Sequence, residues 1–557
     1  MPKAAVSQVL RWRPLAAAVA SEAVVSANRR FRAAMDEVGR GVDAALAHWQ
    51  GSSATAAALR LLESQLRANH IGAVLIDIAD ALADIAALDG FRAAVREIER
   101  EAAAKGCELS DDGSVSPPCA ASGNPVVDLA LQVCFDAEAA ALQARLVPLL
   151  HQAGDTDQHL GERLSAAAET LYALAAAPDP EPRDPTVLAC LAGTGALPED
   201  PKLLCVLWES LSPADRDALF AYDPAIGNRD GIPAVARDYY NRLAIDHQRE
   251  TVRAQLTALE CEHPDWVRDR NLPTGYADGV RLIEWTDARI ALENRLAGYD
   301  SVLAASDSAL ASRLLLAVDD DGHAAIAMNN PDSARNVAAF VPGTDSTLDT
   351  LTRGVQRASA LFYSARFADP AARTSVITWY GYDSPPGLGD ALLDRFADEG
   401  GPALDRFTDG LRATHDGLPS HNTLVGHSYG STLIGVAAGD GGALAVDDLI
   451  FAGSPGVEAG HVSDLRLEGI APADNHEHVF ATADGADPIP YFGGVAHGVS
   501  PADPLFGATV FTSSGATLDL PLLRGIPLDP WAHGSYWDAD NPGLRTQGEI
   551  IAGVYDR

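Results

Sequence analysis

The segment Leu424-Val425-Gly426-His427-Ser428-Tyr429-Gly430-Ser431-Thr432 constrains this chain more than any other. Thr423-Leu424-Val425 reads as a short apolar strand, and the small residues from Thr432 to Ala438 read as a helix. Between them, Gly426 and Gly430 flank Ser428 as G-x-S-x-G, the spacing of a nucleophile elbow. A serine on so sharp a strand-to-helix turn brings the positions two residues away against the neighbouring strand and helix. Glycine removes that collision. The hydroxyl then projects above the sheet edge, and the backbone N–H of Tyr429 points to where an oxyanion would form.

The flanking sequence alternates strand and helix patterns. Arg313–Val318 and Ala324–Met328 are joined by Asp319-Asp320-Asp321-Gly322, a hairpin signal. Strands follow over 336–341, 376–381, the elbow strand, 448–453 and 478–482, so the serine comes after the fifth. An opening hairpin followed by alternating helices and strands is the α/β-hydrolase arrangement, whose partners follow in the order serine, acid, histidine. Two acids stand just past the strand containing Val479 and Phe480: Asp484 and Asp487. Asp487 is preferred, because Pro488 holds the chain extended there, whereas Asp484-Gly485 reads as a solvated turn. His533, in a late loop between two tryptophans, fits the histidine position, with His497 the runner-up. Gly343, in the loop after Val341, lets a ligand approach the backbone, making the Thr344 N–H the second expected oxyanion donor.

The 557 residues exceed one ordinary domain, and three segments are expected: a helical hairpin or bundle over 1–180, a helical connecting or cap segment over 181–305, and the hydrolase domain over 306–557. The cluster Pro178, Pro180, Pro182 and Pro185 reads as the linker. Seventy-seven acidic against 41 basic side chains give a net charge of −36, which disfavours nucleic-acid partners and a polybasic membrane patch. No run approaches ~18 consecutive apolar residues, so no transmembrane segment is expected. The weak apolar stretch Leu15–Ala20 does not make a Sec-type signal; the chain reads as cytoplasmic or as exported by another route. None of the six cysteines forms a C-x-x-C pair, so zinc is not indicated, and serine-hydrolase chemistry implies no metal or organic cofactor. Cys107 and Cys119 bracket a turn-rich loop and could be bridged or free.

Apolar residues at Phe31, Met35, Val38, Val42, Ala45 and Trp49 follow heptad spacing, and a second periodic run extends from Leu59 to Ile98. Two helices joined at Trp49-Gln50-Gly51 resemble the Trp-x-Gly helical-hairpin family of type VII secretion substrates, over roughly residues 5–105. That resemblance implies export and a helical-hairpin protein partner. Residues 52–105 contain no tyrosine, so the Tyr-x-x-x-Asp/Glu export signal of that family is missing there, and a plain packing module is the alternative. Residues 126–152 and 156–177 also read as helices. Further on, Arg237 and Arg242 could clamp an anionic group, with surface ion pairs as the preferred alternative.

Four motifs carry a second, broader resemblance: Val341-Pro342-Gly343-Thr344-Asp345, Trp379-Tyr380-Gly381-Tyr382-Asp383-Ser384-Pro385, the elbow itself, and Gly231-Ile232-Pro233-Ala234 followed by Arg237-Asp238. Over roughly residues 205–540 the chain resembles an uncharacterised actinobacterial α/β-hydrolase family with a predicted Ser-His-Asp triad. The resemblance implies the fold and a Ser-His-Asp triad and supplies no substrate; with Ser428, Asp487 and His533 in those positions, the chain reads as a serine hydrolase, esterase- or lipase-like, acting on a small-molecule or lipid ester. An acyltransferase, or a non-catalytic secretion-associated protein with a vestigial hydrolase fold, are the rival expectations.

Overall fold

Strand segments rich in alanine, valine and isoleucine, with scarcely a charge between them, can only be buried on both faces. In the computed structural model they form one mixed sheet of eight strands. Residues 3–556 are described, apart from 47–48, 50–51, 177–181, 270–275, 308–311, 440–441, 493–495 and 514–528. The chain divides into two compact units, Met1–Asp179 and Pro180–Arg557.

The first unit is almost wholly helical: α1 (Val6–Arg11), α2 (Pro14–Leu46), α3 (Ser52–Ala104) and α4 (Pro125–Ala176), with a small ribbon of β1 (Glu108–Leu109) and β2 (Val115–Ser116) between the last two. Helix α2 packs along α3, as the hairpin expectation required. The seam differs from the expected heptad face, however. Val38 and Trp49 are exposed, while Ser21, Asn28 and Gly39 are buried. The Ser21 hydroxyl donates to Ala79 O at 2.7 Å and the Asn28 amide to Gly72 O at 3.1 Å. Small and hydrogen-bonding residues thus make part of the seam, a pattern that an apolar count overlooks. Of the expected turn, Gln50 and Gly51 lie outside the described residues. Helix α4 is continuous through Pro148, not two helices, and it buries Leu142, Leu146 and Leu150 against Val95, Ile98 and Ala102 of α3. Cys107 and Cys119 are both free thiols.

The second unit opens with α5 (Pro185–Leu191), α6 (Pro201–Ser210), α7 (Pro213–Tyr222), α8 (Ala234–Glu262), α9 (Pro264–Asp269) and α10 (Tyr276–Ser306). Asp184, Asp200 and Ser212 each cap a helix that starts on proline. The sheet follows with β3 (Arg313–Val318), β4 (Ala324–Met328), β5 (Asn336–Val341), α11 (Leu351–Ala368), β6 (Thr374–Tyr380), α12 (Arg395–Thr414), β7 (His421–His427), α13 (Tyr429–Gly439), β8 (Asp448–Ala452), β9 (Val479–Thr482), α14 (Ile489–Phe492), β10 (Thr509–Val510) and α15 (Pro542–Ile551). Strand order is β10-β9-β8-β7-β5-β6-β4-β3. The β3–β4 hairpin and the β4–β6 pair are antiparallel, and every other pair is parallel. On one face Phe340, Val425, Ile450 and Phe480 meet Leu361 and Phe362 of α11 and Ile550 and Ile551 of α15. Gly426, on the opposite face of β7 from Val425, lies against Ile434 of α13. No helix among the described residues is long and apolar enough to cross a membrane.

The Gly-Ile-Pro-Ala segment and its arginines serve this packing. Arg237 is buried; it pairs with Asp230 at 3.0 Å and donates to Leu316 O at 2.8 Å. Asp238, fully buried, accepts from Leu315 N–H at 2.8 Å and from Arg242 Nε at 2.6 Å. Both arginines fasten α8 to β3. Neither the anion clamp nor the surface ion pair describes Arg237.

Candidate active site

Strand β7 ends at His427, and Ser428 turns the chain into α13 with φ of 54°. A non-glycine residue in the left-handed region carries about 1–3 kcal/mol of strain, tolerated where the surroundings impose it. Here the close packing of helix and strand around the elbow sets it, and the two elbow glycines make that packing possible. A Cβ on Gly430 would lie 2.3 Å from Val341 O, and one on Gly426 would lie 2.8 Å from Ile434 Cδ1 and 2.9 Å from Ser431 Cα. Close approach of helix and strand is therefore possible only without side chains at these two positions. Ser428 is 7% exposed. Its N–H donates to Ala452 O of β8 at 3.1 Å, which fixes the turn to the sheet edge.

Past β9, the chain turns through Asp484 and Asp487. Asp487 is fully buried and accepts three hydrogen bonds: Ile489 N–H on Oδ1 at 2.9 Å, and Tyr536 Oη–H at 2.6 Å together with His533 Nδ1 at 2.8 Å on Oδ2. Asp484 does not reach His533. Its Oδ1 accepts from Ala486 N–H at 2.8 Å and its own N–H donates to Tyr536 Oη at 3.0 Å, so it shapes the turn. That turn is largely buried, at 8% exposure for Asp484, rather than solvated. His533 and Tyr536 both lie on the 3-10 segment Pro530–Trp537, where residues three apart share a face. Burial, then the negative charge of Asp487, pushes the Tyr536 hydroxyl far up, so it remains a donor.

His427 links serine and histidine segments. Its Nε2 lies 2.8 Å from His533 O and its Nδ1 lies 3.3 Å from Arg357 Nη1. Arginine only donates, so Nδ1 accepts and Nε2 carries the proton given to the carbonyl. Burial, with Arg357 and His533 adding to it, depresses the His427 pKa well below the usual value, which keeps the ring neutral. Arg357 itself stacks over Trp537 at 4.8 Å, and burial lowers its pKa to about 10.

His497 is placed elsewhere. It is buried, its Nδ1 is 2.6 Å from Glu458 Oε1 and its Nε2 is 2.6 Å from Ala391 O. Both nitrogens are occupied, which leaves none to act as a base. On the other side of Ser428, a Cβ on Gly343 would lie 2.6 Å from Ser428 Cβ and 3.0 Å from Tyr429 N. The Gly343-Thr344 backbone therefore lies directly against the elbow. Tyr429 N–H is at the first position of α13, where a backbone donor has no partner within the helix. The Tyr429 side chain points away: Oη donates to Leu393 O and accepts from Ala397 N–H at 3.2 Å.

The structure thus brings Asp487 to His533, ties the His533 backbone to the residue before Ser428, and sets Gly343 against Ser428. Sequence reasoning missed Tyr536, His427 and Arg357. The spacing of Tyr536 from His533 on a 3-10 turn could have identified the first, but Arg357 lies on a distant helix and carries no local signal.

A family described as alpha/beta hydrolase matches residues 318–496. The uncharacterised protein Rv2079 of Mycobacterium tuberculosis H37Rv is 31% identical over 385 residues, 63% of this chain and 55% of that protein. The chain therefore spans about half the length of that relative. The uncharacterised protein Rv0963c of the same strain is 33% identical over 187 residues, 32% of this chain and 68% of that one. Among solved structures, the esterase LipW from Mycobacterium marinum aligns with a TM-score of 0.26 at 13% identity, covering 51% of this chain and 93% of its own.

Proposed function

Because this chain belongs to the α/β-hydrolase family shared with these mycobacterial proteins, we propose that it is a serine hydrolase acting on an ester-type substrate, lipid or small-molecule, through Ser428, His533 and Asp487. The observation that carries the proposal is the buried Asp487–His533 contact of 2.8 Å, anchored beside a serine held at φ 54°. Asp487 accepts a hydrogen bond from His533 Nδ1–H, which fixes the tautomer with Nε2 unprotonated and able to act as base. The base takes the Ser428 proton as Oγ attacks the acyl carbon, and the same proton passes to the departing alcohol. The amides of Tyr429 and Thr344 receive the charge that develops on the carbonyl oxygen. Water then repeats the cycle on the acyl-enzyme.

The helical first unit is, in this account, a separate packing module. The test of the chemistry is turnover of short-chain p-nitrophenyl esters. Wild type should turn them over, and Ser428→Ala, with an unchanged thermal midpoint, should not. Equal rates for the two would remove Ser428 from the mechanism.

A further inference from the structure

Asp345 adopts φ of 58°, a left-handed conformation that is uncommon for a non-glycine residue, though aspartate takes it more readily than most. The forces that hold it come from one short segment after β6. Asp345 N–H donates to Pro385 O at 2.8 Å. Ser346 N–H donates to Ser384 Oγ at 2.9 Å, and the same hydroxyl donates back to Ser346 O at 3.2 Å. Tyr382 Oη–H donates to Pro342 O at 2.8 Å. Four hydrogen bonds from 382–385 therefore grip the loop at Pro342 and at Asp345-Ser346, on both sides of the Gly343-Thr344 peptide that lies against the elbow. The gripping segment is itself immobilised. Tyr382 is buried and stacks parallel to Trp379 at 6.2 Å, and Gly381 and Gly400 leave room only for hydrogen atoms beside these rings.

We propose that Ser384 and Tyr382 are positioning residues that aim the Thr344 N–H at the developing oxyanion, through the loop they hold and without touching substrate. The proposal deepens the serine-hydrolase reading and rests on it. It gives a task to Trp379–Pro385, a motif that the triad leaves unused. Displacing such a donor by about an ångström costs on the order of 10²-fold in rate, because the amide matters only in the transition state.

Ser384→Ala removes two of the four bonds and leaves the backbone sequence of the loop intact. On p-nitrophenyl acetate, kcat should fall about 10- to 100-fold with KM within about twofold, and Ser384→Thr, which keeps the hydroxyl, should recover most of the loss. A short-chain trifluoromethyl ketone adds a decisive arm. Ser428 Oγ bonds to its carbonyl carbon, the C=O electron pair moves to the oxygen, and the serine proton goes to His533. Its affinity should fall in parallel with kcat, while the matching alcohol, which cannot form the adduct, should bind the variant as it binds wild type. Unchanged kcat, a loss confined to KM, or ketone and alcohol weakened together would overturn the proposal. If Ser384→Ala fails to fold, Tyr382→Phe keeps the ring and removes the Pro342 bond, and it carries the same expectations. A wild-type protein inert to both ester and ketone would remove the hydrolase reading, and this proposal with it; an active wild type with an indifferent variant removes the proposal alone.

Discussion

Tyr536 donates its hydroxyl to Asp487 Oδ2 over 2.6 Å, the same oxygen that faces His533 Nδ1. A carboxylate with no solvent exposure needs donors for its charge, and the tyrosine supplies one that cannot compete as a base. Tyr536→Phe should therefore lower stability by about 1.5–3 kcal/mol, the net worth of a hydrogen bond to a charged group. Ester turnover should fall by less than for loss of the acid itself. Thermal melts and kcat/KM on one preparation check both, and a melt unchanged from wild type would contradict the assigned role.

The two acids of the turn should separate cleanly. Asp487→Asn presents an amide to His533 Nδ1 and favours the wrong tautomer, so turnover should drop by up to about 10⁴. Asp484→Asn keeps an oxygen for the Ala486 N–H and should stay close to wild type. Variants matched for melting temperature are required, because a loosened turn mimics a lost acid. Activity surviving in Asp487→Asn and lost in Asp484→Asn would reverse the assignment.

Much of this was legible because it is local. The elbow glycines, the β3–β4 hairpin and the alternation of strands and helices along the chain up to Ser428 follow from short-range rules, and Gly430 against Val341 O shows why the spacing is obligatory. The choice of Asp487 over Asp484 was argued from Pro488, a neighbour in sequence. What sequence did not give was contact across the fold: Arg357 on His427, or Ser384 on Ser346, where the partners stand 70 and 38 residues apart. The hairpin seam was misjudged for a different reason. Ser21 and Asn28 are buried through hydrogen bonds to facing carbonyls, and polarity alone would have put them in water.

The edge of the sheet remote from Ser428 should titrate. Buried Asp448 accepts from His421 Nε2 and His478 Nδ1, both at 2.9 Å, while His421 Nδ1 faces Ile551 O at 3.3 Å. Both nitrogens of His421 thus face acceptors. Burial opposes its charge, but the Asp448 hydrogen bond and charge prevail, and its pKa is raised. A raised folded pKa gives stability that is complete below about pH 6.5 and lost as pH rises through the folded value. The unfolding free-energy difference between wild type and His421→Leu should therefore shrink between about pH 6 and 9. A difference that stays flat or widens would contradict the raised pKa assigned to His421 beside Asp448.

A chain starting at Pro182 retains the Arg183 and Asp184 amides that bond Asp215 Oδ1 at 2.7 and 3.0 Å, and also the Asp184 side chain that caps α5. Since the second unit holds its own sheet and core, this shortened protein should be soluble, melt cooperatively and hydrolyse esters like the full chain. Aggregation of the short form beside a well-behaved full chain would show that the helical unit is needed for folding.

The central claim is that Ser428 is a nucleophile activated by His533 and Asp487. Its most direct test is intact-mass analysis after exposure to a fluorophosphonate, which bonds phosphorus to an activated serine Oγ and releases fluoride. A single adduct on wild type, located at Ser428 by peptide mapping and lost in both Ser428→Ala and His533→Ala, is the predicted result. No adduct on the folded wild-type protein, or one that persists in Ser428→Ala, would contradict the account.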